Sequence, residues 1–441
     1  MKTENGFVVH RFKIVILLHP ILDRGKHMIP KCVPAVILIL IAASICLASA
    51  YIYVYEQQSS SIFQTILDSA SSSFRYAIAY STYLNPDTMG SLNTVEIATD
   101  GTITDTIIDN LNFDSNWGEY PSAIHVSGDI YAIAYTGADH DGFLTTVQIA
   151  IDGQITDTVI DTLEFDTDDG GDPNIISISG DVYAIAYSGK GDDGFLKTVE
   201  IASNGQITDT VIDVLEFDDK YSKYSNILHL SGNIYAIVYT SDGDDGNLKT
   251  VEIASNGQIT DTVIDVLEFD TVYVANPDII PVSGNIYAIA YVGGLDGNSY
   301  IKTVTIATDG FIGSIIDTLT FVDFTLYEFV DIIHISGDVY AIAHDAAING
   351  YLKTVEIYTD GQIKDTVNDN MMFHNSYVSA PDIIHVSGNI FAIAYQGNYG
   401  DGYLNTVEIA TNGQITDTVI DELEFDTNWC NWPDIIQLSE S

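Results

Sequence analysis

Three cysteines are all that this 441-residue chain contains, and only Cys430 falls within its repetitive part; Cys32 and Cys46 lie near the start. No disulfide can brace the repeats from within, so whatever closes them is built from backbone pairing and packing. Basic residues are scarce as well: 15 Lys and Arg stand against 62 Asp and Glu, for a formal charge of −47. Six of the basic residues (Lys2, Arg11, Lys13, Arg24, Lys26 and Lys31) precede residue 56, so from there on 9 basic side chains face 60 acidic ones. Such a field repels nucleic acid and anionic lipid and attracts cations or basic partners, which sets DNA and RNA aside as ligands. The chain has no Asn-x-Ser/Thr acceptor, so nothing argues for N-glycosylation, and a prokaryotic source fits. Also missing are a nucleophile elbow, a zinc motif, a phosphate loop and a dinucleotide fingerprint.

What is present begins with one long apolar run. From Val33 to Tyr55 the chain is long enough to span about 30 Å of hydrocarbon as a helix, with basic residues before it and acidic ones after. Ala48-Ser49-Ala50 ends the same stretch with a small-residue cleavage pattern. Two readings stand: a cleaved signal peptide ending at Ala50, or a single-pass N-terminal anchor. Met28 as the true start would leave an ordinary short n-region. Either way residues 1–32 form a basic cytoplasmic or n-region segment, 33–55 the hydrophobic helix and 56–71 a linker. The remainder is expected outside the cell or on its surface, touching membrane only through the N-terminal segment.

From there the chain repeats. Ser-Gly-Asp/Asn followed by a Tyr-Ala-Ile-Ala-Tyr-like segment recurs at 127–135, 179–187, 231–239, 283–291, 336–344 and 387–395, after a degenerate copy at Phe74–Tyr80. Each unit continues with a phrase such as Leu196-Lys197-Thr198-Val199-Glu200-Ile201, a turn at Asn204-Gly205 and a stretch from Ile207 to Phe217. These short, β-branched segments between turn residues read as four strands, A to D. In one copy they are Asp278–Val282, Ile286–Tyr291, Tyr300–Ile306 and Phe311–Phe321. Alternation along strand B puts Tyr131, Ile133 and Tyr135 on one face and Ile130, Ala132 and Ala134 on the other. A bulky face that packs on the small face of the next unit suits wedge-shaped sheets set around an axis. The fold class expected is all-β, a seven-bladed β-propeller of four-stranded antiparallel blades over residues 72–441, preceded by one hydrophobic helix. The first copy lacks a clean strand A, whereas Pro433–Ser439 is a strand A with no strand B after it. The C-terminal strand 433–439 is therefore expected to complete the first blade; the alternative is that Ser61–Asp68 fills that place.

Over residues 72–441 the chain resembles β-propeller repeat proteins, and the layout of Gly232-Asn233-Ile234-Tyr235 followed by Asn256-Gly257 is similar to that of NHL-type repeats. It departs from them in its longer units and missing mid-repeat basic residues. The Trp-Asp ending of WD repeats and the Asp-box of sialidases are absent too, so the resemblance implies a fold and no activity.

Antiparallel order puts the A–B and C–D turns on one side of the ring and the B–C and D–A connections on the other. The first set hardly varies between copies, while the second varies in length and residue type, as a binding face would. Trp117, Trp429 and Trp432 all lie in D–A connections, and with Tyr120 they are expected to form an aromatic patch for a sugar or a peptide. Asp242, Asp244 and Asp245 in one B–C loop are the candidate Ca2+ ligands, though the loop does not complete an EF-hand pattern. His344 and His374 break the repeat on the variable face and are single ligand-binding candidates. His125, His229, His334 and His385 recur on strand A, where a metal-binding ring is a weaker option. Recurrent acids such as Glu200 and Asp209/Asp213 read as solubilising edge charges, because a catalytic carboxylate is needed once and not in every blade. The function expected is a binding or adhesion scaffold for a glycan, peptide or surface protein. The alternatives are a glycoside hydrolase or lyase on the same face, or a structural envelope component.

Overall fold

The computed structural model describes residues 72–84, 87–294, 297–322 and 329–439. The expected segments 1–32 and 33–55, the linker and the Ser61–Asp68 alternative lie outside the described residues. Among the described residues no helix is long and apolar enough to cross a membrane.

Seven four-stranded antiparallel sheets, each in the order A-B-C-D, make up the ring. Blade 4 shows the pattern: Ser222–Ser231, Ile234–Ser241, Gly246–Glu252 and Asp265–Asp270. The A strands of blades 2 to 7 are Glu119–Ser127, Gly171–Ser179, Ser222–Ser231, Val274–Ser283, Val330–Ser336 and Ser379–Ser387. Blade 1 takes its strand A from the C-terminus: Cys430–Gln437 pairs with Ser73–Leu84, with Ile78 opposite Ile435 and Ala79 opposite Asp434. The closing strand thus starts three residues before the expected Pro433.

That early start has a general cause. In blade 5, too, strand A begins at Val274, four residues before Asp278, because the chain carries a β-bulge between Ala275 and Asp278. Proline reads as a strand breaker, yet Pro277 sits within the bulge of an edge strand, where no ladder hydrogen bond is asked of its nitrogen.

The core is a set of layers between blades. Tyr131, Ile133 and Tyr135 of blade 2 pack on Ala77 and Ala79 of blade 1. Tyr183, Ile185 and Tyr187 of blade 3 pack on Ala132 and Ala134 of blade 2. The last layer closes the circle, with Tyr76, Ile78 and Tyr80 against Ala392 and Ala394 of blade 7. The bulky-on-small alternation seen in strand B is therefore what sets blade against blade.

Polar fasteners reinforce each layer. A strand C threonine donates to the carbonyl of the glycine in the next blade's C–D turn, from Thr94 to Gly153 through to Thr406 and Gly101, at 2.5–2.6 Å in all seven blades. Gly257, one of these glycines, has φ +85°, and a Cβ there would meet Ile212 Cδ1 at 2.8 Å, so both conformation and space require glycine. The first aspartate of strand D accepts the N–H of an isoleucine in the next blade: Asp213 from Ile259, and across the closure Asp421 from Ile103. Asp213, like Asp265, is thus an inter-blade clasp, which corrects the reading of Asp213 as a solubilising charge; Asp209 does face solvent.

A third clasp gathers on the last aspartate of strand D. Asp218 Oδ2 takes Lys249 Nζ at 2.8 Å and the Tyr239 hydroxyl, both from the next blade. Lys197–Asp166 and Lys302–Asp270 repeat it at 2.7 and 2.8 Å. Replacing Lys249 by Met should lower stability by about 3 kcal/mol, because Asp218 keeps its buried charge without a cation. Urea denaturation would check it, and a loss below about 0.5 kcal/mol would mean that the pair contributes like a surface salt bridge.

Candidate binding site at the channel mouth

The bulges of the A strands recur at one height around the axis, at the B–C and D–A end of the ring. Register shifts separate Glu119 from Ser122, Gly171 from Asn174, Lys223 from Asn226, Ala275 from Asp278 and Ser379 from Asp382. One residue in each bulge is held at left-handed φ: Tyr120 (51°), Asp172 (48°), Tyr224 (54°), Asn276 (43°), Ala380 (47°) and Trp432 (47°). None is a glycine and five directly precede proline, so each position carries strain of about 1–3 kcal/mol. Together with Phe329 of blade 6, these residues line a cavity of about 340 Å³ on the ring axis.

Seven blades that agree almost everywhere else thus put seven nearly unrelated side chains into one opening. Tyr120 and Trp432 meet there, ring centroids 3.8 Å apart and planes tilted by 32°. Next to them in blade order comes Asp172. Its Oδ1 has no hydrogen-bond partner, and crowding by protein atoms pushes its carboxyl up to about 7, against the pull of Lys223. Glu119 and Asp169 add to the rise by repulsion.

Below this rim lies a second ring, formed by Ser122, Asn174, Asn226, Asp278, Asp331, Asp382 and Asp434. Most of these side chains accept a backbone N–H from the following blade. Asp278 takes Ile332, Asp331 takes Ile383, Asp382 takes Ile435 and Asp434 takes Ala123, at 2.7–3.2 Å. Ser122 and Asn174 do the same for Ile175 and Ile227. Three members of the ring are neutral and four are acidic. In the acidic arc Asp331 stands between Asp278 and Asp382, near enough for the neighbouring carboxyls to repel one another. Crowding and mutual repulsion raise all four carboxyls well above the usual range, although each keeps partial exposure along the channel.

The four aromatic residues expected to share one patch separate into different places. Tyr120 and Trp432 form the mouth pair. Trp117 stands edge-on to His140 at 5.8 Å, beside Glu119. Trp429 lies against Gly400 of the blade 7 B–C loop and donates its indole N–H to Asn431.

The histidines serve packing. His344 is 1% exposed, between Phe321 and Tyr351, in the slot where other blades carry tyrosines such as Tyr239 and Tyr291. Burial depresses its pKa to about 3, so it is neutral. His374 stands where other blades carry aspartates such as Asp218 and bonds the Tyr395 hydroxyl at 3.0 Å. Its pKa is lowered by burial, against the pull of Glu422. Both candidates thus stand inside inter-blade layers, with His344 also lining a hollow beside Ala347 and Asn349 of its own blade. His125, His229, His334 and His385 each turn Nε2 back to the A–B turn of their own blade, onto Gly128, Gly232, Gly337 and Gly388, and do not converge on the axis.

Of the calcium candidates, Asp242 and Asp245 line a hollow with Asp219 and Glu268, while Asp244 occupies a left-handed turn position outside it. Asp245 is paired with Glu268, whose pKa it raises by hydrogen bonding. Among the described residues no group of three or more acidic, His or Cys side chains is placed to hold a metal ion.

Asp172, Tyr224, Asn276, Phe329 and Ala380, and the acidic arc beneath them, were not legible as site residues from spacing alone. The signal that marks them is local: the residue two before the constant Ser/Asn/Asp of strand A changes in nearly every copy, while the Ile-rich stretch after it hardly changes.

No protein-family model matches the chain, and no curated protein does. Among solved structures it is similar to a protein of Bacteroides uniformis ATCC 8492 provisionally assigned as a 6-phosphogluconolactonase. That match is 12% identical, covers 82% of this chain and 99% of that one, and has a TM-score of 0.58. It is also similar to the BP39L lectin from Burkholderia pseudomallei, 11% identical over 80% of this chain and 100% of that one, with a TM-score of 0.52. At such identities the likeness shows the propeller fold alone.

Proposed function

We propose that this chain is an exported, cell-surface binding scaffold that holds a carbohydrate in the mouth of its axial channel. One observation carries the reading: six strained, non-glycine bulge residues, different in nearly every blade, face a single cavity that contains the Tyr120–Trp432 pair and the unpartnered oxygen of Asp172. The bulge itself recurs as part of the fold, but non-glycine residues that differ from blade to blade at its strained position are a reason to place function there. Aromatic faces receive the C–H side of a sugar ring, and Asp172, Asn276 and the tyrosine hydroxyls supply hydrogen bonds to its hydroxyls. The lectin among the fold neighbours agrees with this reading, and the apolar run at 33–55 with export.

Hydrolysis is the second reading, and it too has its observation. Asp172 has the raised pKa of a general acid, and Glu119, itself raised by burial, is near enough to add to that rise by repulsion. Against it, the four carboxylates of the arc are committed to backbone N–H groups.

A glycan array probed with the protein tests both. Trp432→Ala and Tyr120→Ala should each weaken the retained glycan at least 10-fold, or about 1.4 kcal/mol. Asp172→Asn should weaken binding under the scaffold reading. If it instead abolishes release of reducing sugar while binding persists, the protein is a hydrolase. Unchanged binding in all three variants would remove the channel mouth as the site.

A further inference from the structure

Blade 7 departs from its sisters at the tip of its B–C loop. In blades 3 and 4 the loop apex is Gly191 (φ 80°) and Gly243 (φ 85°), and in blade 2 it is Asp139 (φ 60°). Blade 7 places Tyr399 there, at φ 59° and 91% exposed. A tyrosine in left-handed conformation is uncommon, and one that packs on almost nothing gains no burial to offset the strain. Two further aromatic residues border the same loop. Trp429 lies against Gly400, where a Cβ would come within 2.6 Å of its ring, and is 48% exposed. Tyr377 is 36% exposed, and its backbone N–H reaches Asn398 Oδ1, which also takes the Ser376 hydroxyl. Three chain segments, two D–A connections and one B–C loop, thus meet on the variable face, and each carries an aromatic residue at least one-third exposed. The Asn398 and Gly400 contacts hold the three together.

We propose that Tyr377, Tyr399 and Trp429 form a second ligand site, separate from the channel mouth, that takes a neutral saccharide. The chemistry of the rim selects the class. Ser376, Asn398 and Asn431 are uncharged, with Asp401 the one acid next to the loop apex, and Asn431 Oδ1 already gathers Trp429 Nε1 and the buried Gln396 Nε2 at 3.0 and 2.7 Å. Hydroxyl-tipped and N–H-tipped rings on an open surface suit the C–H face of a pyranose, whose hydroxyls stay in water or reach the amides. A protein hot spot would call for a deep, desolvated pocket, which this surface does not provide. The net charge of −47 selects against anionic sugars. The proposal does not depend on the function assigned to the channel mouth.

Tyr399→Gly is the decisive variant, because glycine is the residue that the φ of this position favours. A purely structural Tyr399 would leave the variant less stable. A tyrosine kept for a ligand would leave its melting temperature equal or higher and remove binding. Affinity gel electrophoresis of the full chain through β-1,4-glucan, β-1,3-glucan and α-mannan reads the binding. The expected result is retardation by at least one polymer, reduced at least 10-fold by Tyr399→Gly and by Trp429→Ala, and retained in Trp432→Ala. Retardation lost only in Trp432→Ala would assign all binding to the mouth and overturn the second site. So would a wild-type chain that none of the three polymers retards, or a Tyr399→Gly variant that melts lower and binds as before.

Discussion

A chain that ends at Trp429 should have no cooperative unfolding transition. The missing segment contributes the whole strand A of blade 1, whose backbone pairs with Ser73–Leu84 from Thr82↔Cys430 to Tyr76↔Gln437. It also removes Cys430, Ile435 and Leu438, all nearly fully buried, from two inter-blade layers. Truncating one buried leucine or isoleucine costs about 2–5 kcal/mol, so these losses together reach the whole stability of an ordinary domain, about 5–15 kcal/mol. Two fasteners go as well, Asp382 to Ile435 and Asp434 to Ala123, leaving polar groups unpaired in the channel wall. Circular dichroism melts and sedimentation would show an expanded or aggregated chain. A peptide of residues 430–441 added in excess should restore part of the transition. Ile435→Ala gives the graded version, with a loss of about 2–4 kcal/mol. A truncated chain that melts cooperatively at the wild-type temperature would show that blade 1 closes by other means.

Between pH 8 and pH 5 the protein should become more stable, by a few kcal/mol. The sign follows from the carboxyls of Asp172, Asp278, Asp331, Asp382 and Asp434, all of them raised by crowding and repulsion. A carboxyl whose pKa is higher in the folded state binds its proton more tightly there than in the unfolded chain. The stability it contributes is complete below the unfolded value, about 4, and is lost as the pH rises through the folded value, about 7 for Asp172. A tenfold gain in proton affinity on folding is worth about 1.4 kcal/mol, and partial exposure along the channel holds the sum over the five groups well below its full total. Asp166 and Asp270 act in the opposite sense. Their carboxyls are held low by hydrogen bonds from Lys197 and Tyr187, and from Lys302 and Tyr291, so what they contribute disappears in stronger acid. The optimum is therefore expected at about pH 5. Asp331→Asn isolates the arc, because the amide oxygen can still accept the Ile383 N–H while the central charge is gone. Urea denaturation across pH 5–8 should find this variant more stable than wild type at pH 8, with a flatter dependence. An equal slope in both would place the effect in the general surface charge, which added salt screens.

Strand count, blade order and closure are legible in the sequence because each rests on a local signal repeated seven times. Gly-containing hairpins, the alternation of Tyr131 and Ala132, and the strand A without a partner at the C-terminus are signals of that kind. The bulges were hidden, since Pro277 and Pro433 look like the outer limits of their strands and only an edge position permits them inside. Asp213 shows a different limit. Its sequence neighbours suggest a solvated charge, and its partner, the N–H of Ile259, comes from another blade through packing geometry. His344 and His374 were conspicuous as breaks in a repeat, but a break is as easily a substitution inside an interface as a ligand on a surface. The mouth was half visible, through Trp432 and Tyr120. Asp172, an ordinary acid among many, becomes distinctive only once its neighbours are known.

The strand C threonines and the first aspartates of strand D each run one way round, from a side chain in one blade to a backbone group in its successor. Blades 3 and 4 are nearly interchangeable in that respect: Asp193–Asp218 and Asp245–Asp270 differ only at Phe195 and Asn247. Unequal crossing-over between two such copies would insert or delete one complete module, and the new junction would still present a donor to an acceptor. The fasteners therefore specify which neighbour follows a blade and do not themselves count the blades. The bulge residues at the mouth would change with each such event, so the architecture that keeps the ring closed also lets its opening diversify.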